Sequence, residues 1–285
     1  MRKLKIAIQK NGRLNQKSLE LLEDCGIKLS NGVGKLVNES TNFPIEVLYL
    51  RDDDIPQYVE QNIVDIGIIG QNVLEESQKN VDIVKSLGFS SCRLSLAVPK
   101  ESSYKDIRDL NGKKIATSYP NILSDFLKKN GVKANIEFLS GSVEIAPSIG
   151  LADAICDIVS SGSTLLSNGL REVDKVMNSE AILIASSQLD SFKKEVLEKF
   201  LFRINSVQNA QSRRYILLNA PNSAIEEICQ ILPGMNSPTV LPLVKEEWSS
   251  LHSVINEDTF WLVIDQLKEA GAEGILVIPI EKMIN

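Results

Sequence analysis

The strongest chemical signal in this chain is a polar turn at the end of an apolar run, Asp157-Ile158-Val159-Ser160-Ser161-Gly162-Ser163-Thr164-Leu165-Leu166. A buried strand of Ile and Val enters Ser-Ser-Gly-Ser-Thr, which opens toward a helical Leu-Leu. Consecutive backbone N–H groups around a central glycine can wrap an anion, the hydroxyls of Ser160, Ser161, Ser163 and Thr164 can donate to it, and a following helix adds its positive end. Phosphate recognition suits such a turn. An ordinary Ser/Gly turn capping a helix is the evenly weighted alternative on this segment alone. Neither nucleotide fingerprint is present: Gly34-Lys35 and Gly112-Lys113 run on into Leu36 and Lys114, and Gly32-Val33-Gly34 continues into Val37.

Other polar turns follow apolar runs at Gln9-Lys10-Asn11-Gly12-Arg13, Gly67-Ile68-Ile69-Gly70-Gln71-Asn72 and Thr117-Ser118-Tyr119-Pro120-Asn121. Ligands of open parallel sheets sit beyond the carboxyl ends of the strands, so these turns can converge on one cleft where Lys10 and Arg13 face a phosphorylated substrate. Taken singly, each has a plainer reading: solvated cations beside an Asn-Gly turn, glycines that serve sheet packing, a core tyrosine, and Glu144 and Asp157 as element termini. Asp52-Asp53-Asp54 before Ile55-Pro56 reads as a helix cap, with a metal cluster as the lesser reading. His252 is the single histidine, which excludes a multi-histidine metal site.

The elements that must position these residues alternate apolar runs with helix-like segments. Over 4–9, 14–25, 45–51, 55–61 and 65–70 the pattern predicts βα units and a largely parallel sheet. A second series is expected from strands at 94–98, 114–117, 136–139 and 157–159, with helices over 106–110, 124–130 and 143–152. A strand at 181–185 and a helix over 191–208 are expected to return to the first domain. The last part reads β-α-β-β-α-β, with strands at 214–218, 239–244, 248–255 and 274–280 and helices over 223–232, capped by Asn222, and 258–270. That order is ferredoxin-like. The domain limits expected are 1–93 with 181–208, then 94–180, then 209–285.

Composition narrows the function class. The chain has 285 residues, 43% of them hydrophobic and 24% charged, which suits packed domains and excludes disordered or disulfide-dense classes. A net charge of −6 gives no broad positive field for nucleic acid. No apolar stretch approaches the roughly 20 residues that a membrane span needs, so no membrane partner is expected. The basic start turns polar at Gln9 before a signal-peptide core, and Cys25, Cys92, Cys156 and Cys229 form no Cys-x-x-Cys pair; both point to reduced thiols and a cytoplasmic location.

Taken together, these segments resemble the long form of the ATP phosphoribosyltransferase family. The markers are Gln9-Lys10-Asn11-Gly12-Arg13-Leu14, Arg51 to Pro56, Asp65 to Gly70, Ala116 to Pro120, Gly141-Ser142-Val143-Glu144-Ile145-Ala146-Pro147, Gly150 to Asp157, the turn through Leu165, and Asn168-Gly169-Leu170. The resemblance implies a fold of two periplasmic-binding-protein-like catalytic domains with a central cleft and a C-terminal ferredoxin-like regulatory domain. It implies Mg²⁺-dependent transfer of phosphoribosyl from 5-phosphoribosyl 1-pyrophosphate to N1 of ATP, with release of pyrophosphate, as the opening step of histidine biosynthesis. On it, Glu144, Asp157, Ser160, Ser161, Gly162, Ser163, Thr164 and Leu165 bind the phosphoribosyl donor, and Lys10 and Arg13 are the catalytic basic pair. Arg13, Gly70 and Tyr119 fall on the ATP side, and Lys35 is carried over on a less distinctive context. The resemblance further implies feedback inhibition by histidine at Asn219, Thr239 and Ala272, and a homo-oligomer between dimer and hexamer. No protein ligand of the metal is assigned.

Two rival classes share the expected architecture. A solute-binding or sensor protein would carry an export signal or a basic DNA-binding segment, and another phosphoribosyltransferase would place paired acidic residues before the glycine turn, whereas Asp157 stands between Cys156 and Ile158.

Overall fold

The structure is a computed structural model that describes residues 2–30, 36–234 and 237–284. In chain order, the first elements are β1 (Leu4–Gln9), α1 (Arg13–Asp24), β2 (Val37–Glu39), β3 (Ile45–Leu50), α2 (Ile55–Glu60), β4 (Ile66–Gly70), α3 (Gln71–Ser77) and β5 (Asp82–Ser86). They are followed by β6 (Cys92–Pro99), β7 (Lys114–Thr117), α4 (Pro120–Lys129), β8 (Asn135–Phe138), β9 (Ala154–Val159), α5 (Ser163–Ser167), β10 (Leu170–Ser179), β11 (Ala181–Ala185) and α6 (Ser191–Gln211). The remaining elements are β12 (Arg213–Pro221), α7 (Ile225–Ile231), β13 (Thr239–Pro242), β14 (Trp248–Asn256), α8 (Glu257–Glu269) and β15 (Glu273–Pro279). The chain divides into two compact units, 1–196 and 197–285, with α6 running through the division.

The first unit holds two sheets, of order β2-β3-β1-β4-β11-β5 and β10-β6-β9-β7-β8. Strands β1 and β4 are almost wholly buried, as expected where a strand is covered on both faces and therefore reads as a continuous apolar run. Gly67 lets α2 lie directly on β4: a Cβ there would stand 2.6 Å from Ile55 Cγ2. The α/β class is as expected, but the sheets are mixed rather than largely parallel. In the first, β1 pairs in parallel with β3 and β4, while β11 runs antiparallel between β4 and β5. In the second, β7 is parallel to β8 and β9, and β6 and β10 are antiparallel. The reason is the traffic between the sheets: β5 leads into β6 and β10 returns to β11, so chain that crosses over arrives from the opposite end.

Other differences have local causes. The helix expected over 143–152 is only a 3₁₀ turn, Val143–Ile145, because Pro147 lacks an N–H to donate and Gly150 has φ +75°. Helix α2 begins at Ile55 with proline in its first turn, yet neither Arg51 nor Asp54 makes a side-chain cap bond. Asn222 is not a side-chain cap either; its Oδ1 accepts a hydrogen bond from Ser249 Oγ at 2.7 Å. Among the described residues, no helix is long and apolar enough to cross a membrane.

The second unit carries a sheet of order β13-β14-β12-β15, antiparallel throughout, which is the ferredoxin-like arrangement expected. Alternation in β12 buries Ile216, Leu218 and Ala220 in a core shared with Ile228 of α7 and Leu267 of α8.

Candidate active site

Strand β9 ends at Val159 and delivers the turn Ser160–Gly162 to the start of α5. Gly162 has φ +80° and ψ −1°, and a Cβ there would meet only Val159 Cγ1 at 3.9 Å. The left-handed backbone, and not crowding, is what calls for glycine. The Ser161 and Ser163 hydroxyls lie 2.9 Å apart, and Leu166 N–H closes the turn on Gly162 O at 3.1 Å. Among the described residues, the N–H groups of Ser161, Gly162, Thr164 and Leu165 find no protein acceptor. They are donors that the protein itself leaves unpaired. Helix α5 has only five residues, so this capacity rests on the free amides rather than on a helix dipole.

The turn lines a cavity of about 180 Å³ together with Arg13, Glu144 and Asp157. Arg13, the first residue of α1, comes from the first sheet's side, and the other residues come from the second. The Asp157 carboxylate accepts Ile158 N–H at 2.8 Å, while burial, aided by the nearby Glu144 charge, pushes its carboxyl up. Glu144 sits in the 3₁₀ turn behind Ser142, a non-glycine residue at φ +51°, a conformation held at a small energetic cost. Neither carboxylate joins an ion pair among the described residues. Two uncompensated carboxylates beside free amides and a guanidinium are fit to hold hydroxyls, or a hard cation, next to a phosphate. Lys10 is exposed at the end of β1, its N–H bonded to Leu50 O at 2.7 Å, and is not among the residues lining this cavity.

Tyr119 lines a second cavity, of about 410 Å³, with Arg51, Asp52, Asp53, Glu76 and Ser118. Burial pushes the Tyr119 phenol up, and the charges of Asp157, Asp52 and Asp53 add to this, so it remains a neutral donor. The nearby Asn72 amide opposes that rise, and its Oδ1 accepts from Ser179 Oγ at 2.8 Å. Gly70 lies against the same amide: a Cβ there would stand 2.4 Å from Asn72 Oδ1. Gly70 and Tyr119 thus both lie near Asn72. The Glu76 carboxylate, on α3, accepts the N–H groups of Asn121 and Ile122 at 2.9 and 3.0 Å and thereby caps α4 of the other sheet.

In the second unit, Asn219 of β12 pairs with Glu273 on one side and Ser250 on the other, which places it beside buried Ala272. Thr239 lies on edge strand β13 opposite His252, so β14 and two steps of register separate it from Asn219. Lys35 lies outside the described residues. Asn72, Glu76 and the Arg93–Glu172 pair, whose Nε–Oε1 distance is 2.5 Å, are placed by the fold without any local signal that marks them. Their partners are remote in sequence, and a lone polar residue in an alternating strand carries no signature of what it will meet.

Known proteins resemble this chain along almost its whole length. The profile of ATP phosphoribosyltransferase matches residues 51–206, and that of the HisG C-terminal domain matches 210–282. An ATP phosphoribosyltransferase of Cytophaga hutchinsonii is 58% identical over 99% of this chain and 98% of its own. One from Bacteroides thetaiotaomicron is 56% identical over 99% of both. Among solved structures, the ATP phosphoribosyl transferase (HisG:HisZ) complex from Thermotoga maritima matches with TM-score 0.61 and 30% identity over 71% of this chain and 98% of that one.

Proposed function

The chain belongs to the ATP phosphoribosyltransferase family, whose reaction is the first step of histidine biosynthesis, and on that premise we propose where and how its chemistry takes place. The cavity of Arg13, Glu144, Asp157 and the 160–165 turn holds 5-phosphoribosyl 1-pyrophosphate, and N1 of ATP attacks its anomeric carbon from the Tyr119 side. The observation that carries this reading is the set of free amides at Ser161, Gly162, Thr164 and Leu165, which share one cavity with both carboxylates.

Displacement of pyrophosphate passes through oxocarbenium-like character at the anomeric carbon, so it needs alignment and charge neutralisation rather than a strong base. N1 of adenine already offers a lone pair, and a chain with one histidine is thereby sufficient. The amides and hydroxyls from Ser160 to Leu165 hold the 5-phosphate. Glu144 and Asp157 accept from the ribose hydroxyls, and Arg13 balances the pyrophosphate, with Lys10, just past the end of β1, as the second basic residue of the pair. Gly70 lets Asn72 lie close, and the neutral Tyr119 hydroxyl faces the nucleotide. The uncompensated carboxylates suit Mg²⁺, which Glu144 and Asp157 would hold with pyrophosphate and ribose oxygens; bound there it supplies charge to the leaving group.

The sheets then correspond to catalytic domains at 1–93 with 181–208 and at 94–180, and to a regulatory domain at 209–285. Histidine inhibits through Asn219, Thr239 and Ala272. The Thermotoga protein is in complex with HisZ, whereas this chain has its own C-terminal sheet, and it works in the cytoplasm as a homo-oligomer between dimer and hexamer.

The test is to mix the protein with ATP, 5-phosphoribosyl 1-pyrophosphate and magnesium and to follow product absorbance with and without histidine. Turnover only with the complete set, slowed by histidine, is the expected outcome; no turnover overturns the site. Thr239→Ala should blunt inhibition more than catalysis, and equal loss of both removes the regulatory role.

A further inference from the structure

Arg93, the second residue of β6, lies opposite Val159, the residue that ends β9. Its guanidinium makes a fork with Glu172 of β10, Nε to Oε1 at 2.5 Å and Nη2 to Oε2 at 2.6 Å. Its remaining arm, Nη1, donates to the Ser160 carbonyl oxygen at 3.1 Å. Ser95, two residues along β6, donates its hydroxyl to Glu172 Oε1 at 2.8 Å and locks the carboxylate in place. A register shift in β10 directly follows Glu172, the kind of bulge that re-aims a side chain next to a working site. The pair perturbs itself in the expected sense: bonding to Arg93 holds the Glu172 carboxyl low, and bonding to Glu172 raises the guanidinium. The positive charge of Arg93 is thus spent on Glu172 and is not offered to a phosphate.

What Arg93 does offer is the direction of one peptide plane. In a trans peptide the C=O of one residue and the N–H of the next point opposite ways. A donor that fixes the Ser160 carbonyl therefore also fixes the Ser161 N–H, the first free amide of the turn. No other protein hydrogen bond among the described residues restrains that plane.

We propose that Arg93, held by Glu172 and Ser95, is a positioning residue for phosphoribosyl transfer that aims the Ser160–Ser161 peptide at the 5-phosphate of the substrate. This rests on the reading of the turn as the 5-phosphate site. The test compares wild type with Arg93→Lys and Arg93→Ala by steady-state kinetics with each substrate varied, alongside amide NMR of the full chain titrated with ribose 5-phosphate. Lysine keeps the charge but cannot make a fork and a third bond together. Both variants are expected to raise KM for 5-phosphoribosyl 1-pyrophosphate about tenfold, with KM for ATP within about twofold. In wild type the Ser161 and Gly162 amides should shift on titration, and in Arg93→Lys they should shift less.

The outcomes separate cleanly. If the wild-type amides do not shift, the phosphate reading of the turn fails and this role fails with it. If they shift but Arg93→Lys is kinetically wild type, the turn stands and the positioning role is overturned. Equal losses for both substrates with unchanged amide shifts would make Arg93 merely structural and also overturn it. Should Arg93→Ala not fold, Arg93→Lys decides alone, with its thermal unfolding curve as the control.

Discussion

The cavity beneath the 160–165 turn and the cavity at Tyr119 are built by different means. The one beneath the 160–165 turn presents backbone N–H groups with no protein partner, from residues contiguous in sequence. The one at Tyr119 has side chains already engaged, Glu76 with the start of α4 and, close by, Asn72 with Ser179, drawn from segments far apart. Backbone amides select any tetrahedral anion and tolerate changes of side chain; an engaged side-chain network selects shape and fails when one member is lost. The first cavity should therefore be sensitive to backbone conformation and the second to single functional groups.

The largest effect should come from Gly162→Val. Holding a β-branched residue at φ +80° costs about 1–2 kcal/mol of local strain, and relief of that strain swings the amides away from the anion. Turnover should fall at least about a hundredfold. The fold should survive, since only Val159 Cγ1 lies within 4 Å of the new Cβ. A variant with normal kinetics would break the contrast between the cavities.

Asp157→Asn should come next, with kcat/KM lower by about tenfold or more and a stability change of opposite sign. Because burial raises the Asp157 carboxyl in the folded state, the native protein binds that proton more tightly than the unfolded chain does. Stability contributed by this group is therefore lost as pH rises from the ordinary aspartate range through the raised folded value. The asparagine variant lacks that loss, so its Tm should exceed that of wild type near neutral pH and converge with it in acid. Melting curves of both proteins from pH 3 to 8 check the sign; a lower Tm at neutral pH would show that the carboxylate has a stabilising partner.

The smallest of the three is Tyr119→Phe, which removes the hydroxyl and leaves the ring. KM for ATP should rise about three- to tenfold, with KM for the phosphoribosyl donor unchanged. An effect on the donor alone would merge the two cavities into one site.

The turn after β9 was legible because its donors are neighbours: an apolar strand running into Ser-Ser-Gly-Ser-Thr carries its own geometry. The strand limits at 4–9, 114–117 and 181–185 were equally legible, since short apolar runs bounded by turns leave few alternatives. Strand β10 was not, because register shifts after Glu172 and Lys175 break the period-two pattern that would have revealed it. The mixed sheets were missed for a related reason. Alternation of strand and helix says that units pair, but crossing between sheets reverses the direction in which β6 and β11 arrive.

The sequence by itself determined most of the strands and helices, that a run of amides and hydroxyls follows β9, and, through resemblance, the family. Only the tertiary structure decided that Arg13 and not Lys10 lines the cavity of the 160–165 turn, that Gly70 lies against Asn72, and that Arg93 reaches Ser160. The physical reason is one of range. Local periodicity fixes the direction of a side chain within its own element, whereas the meeting of residues from remote elements depends on strand order and register, which the packing of the whole sheet sets.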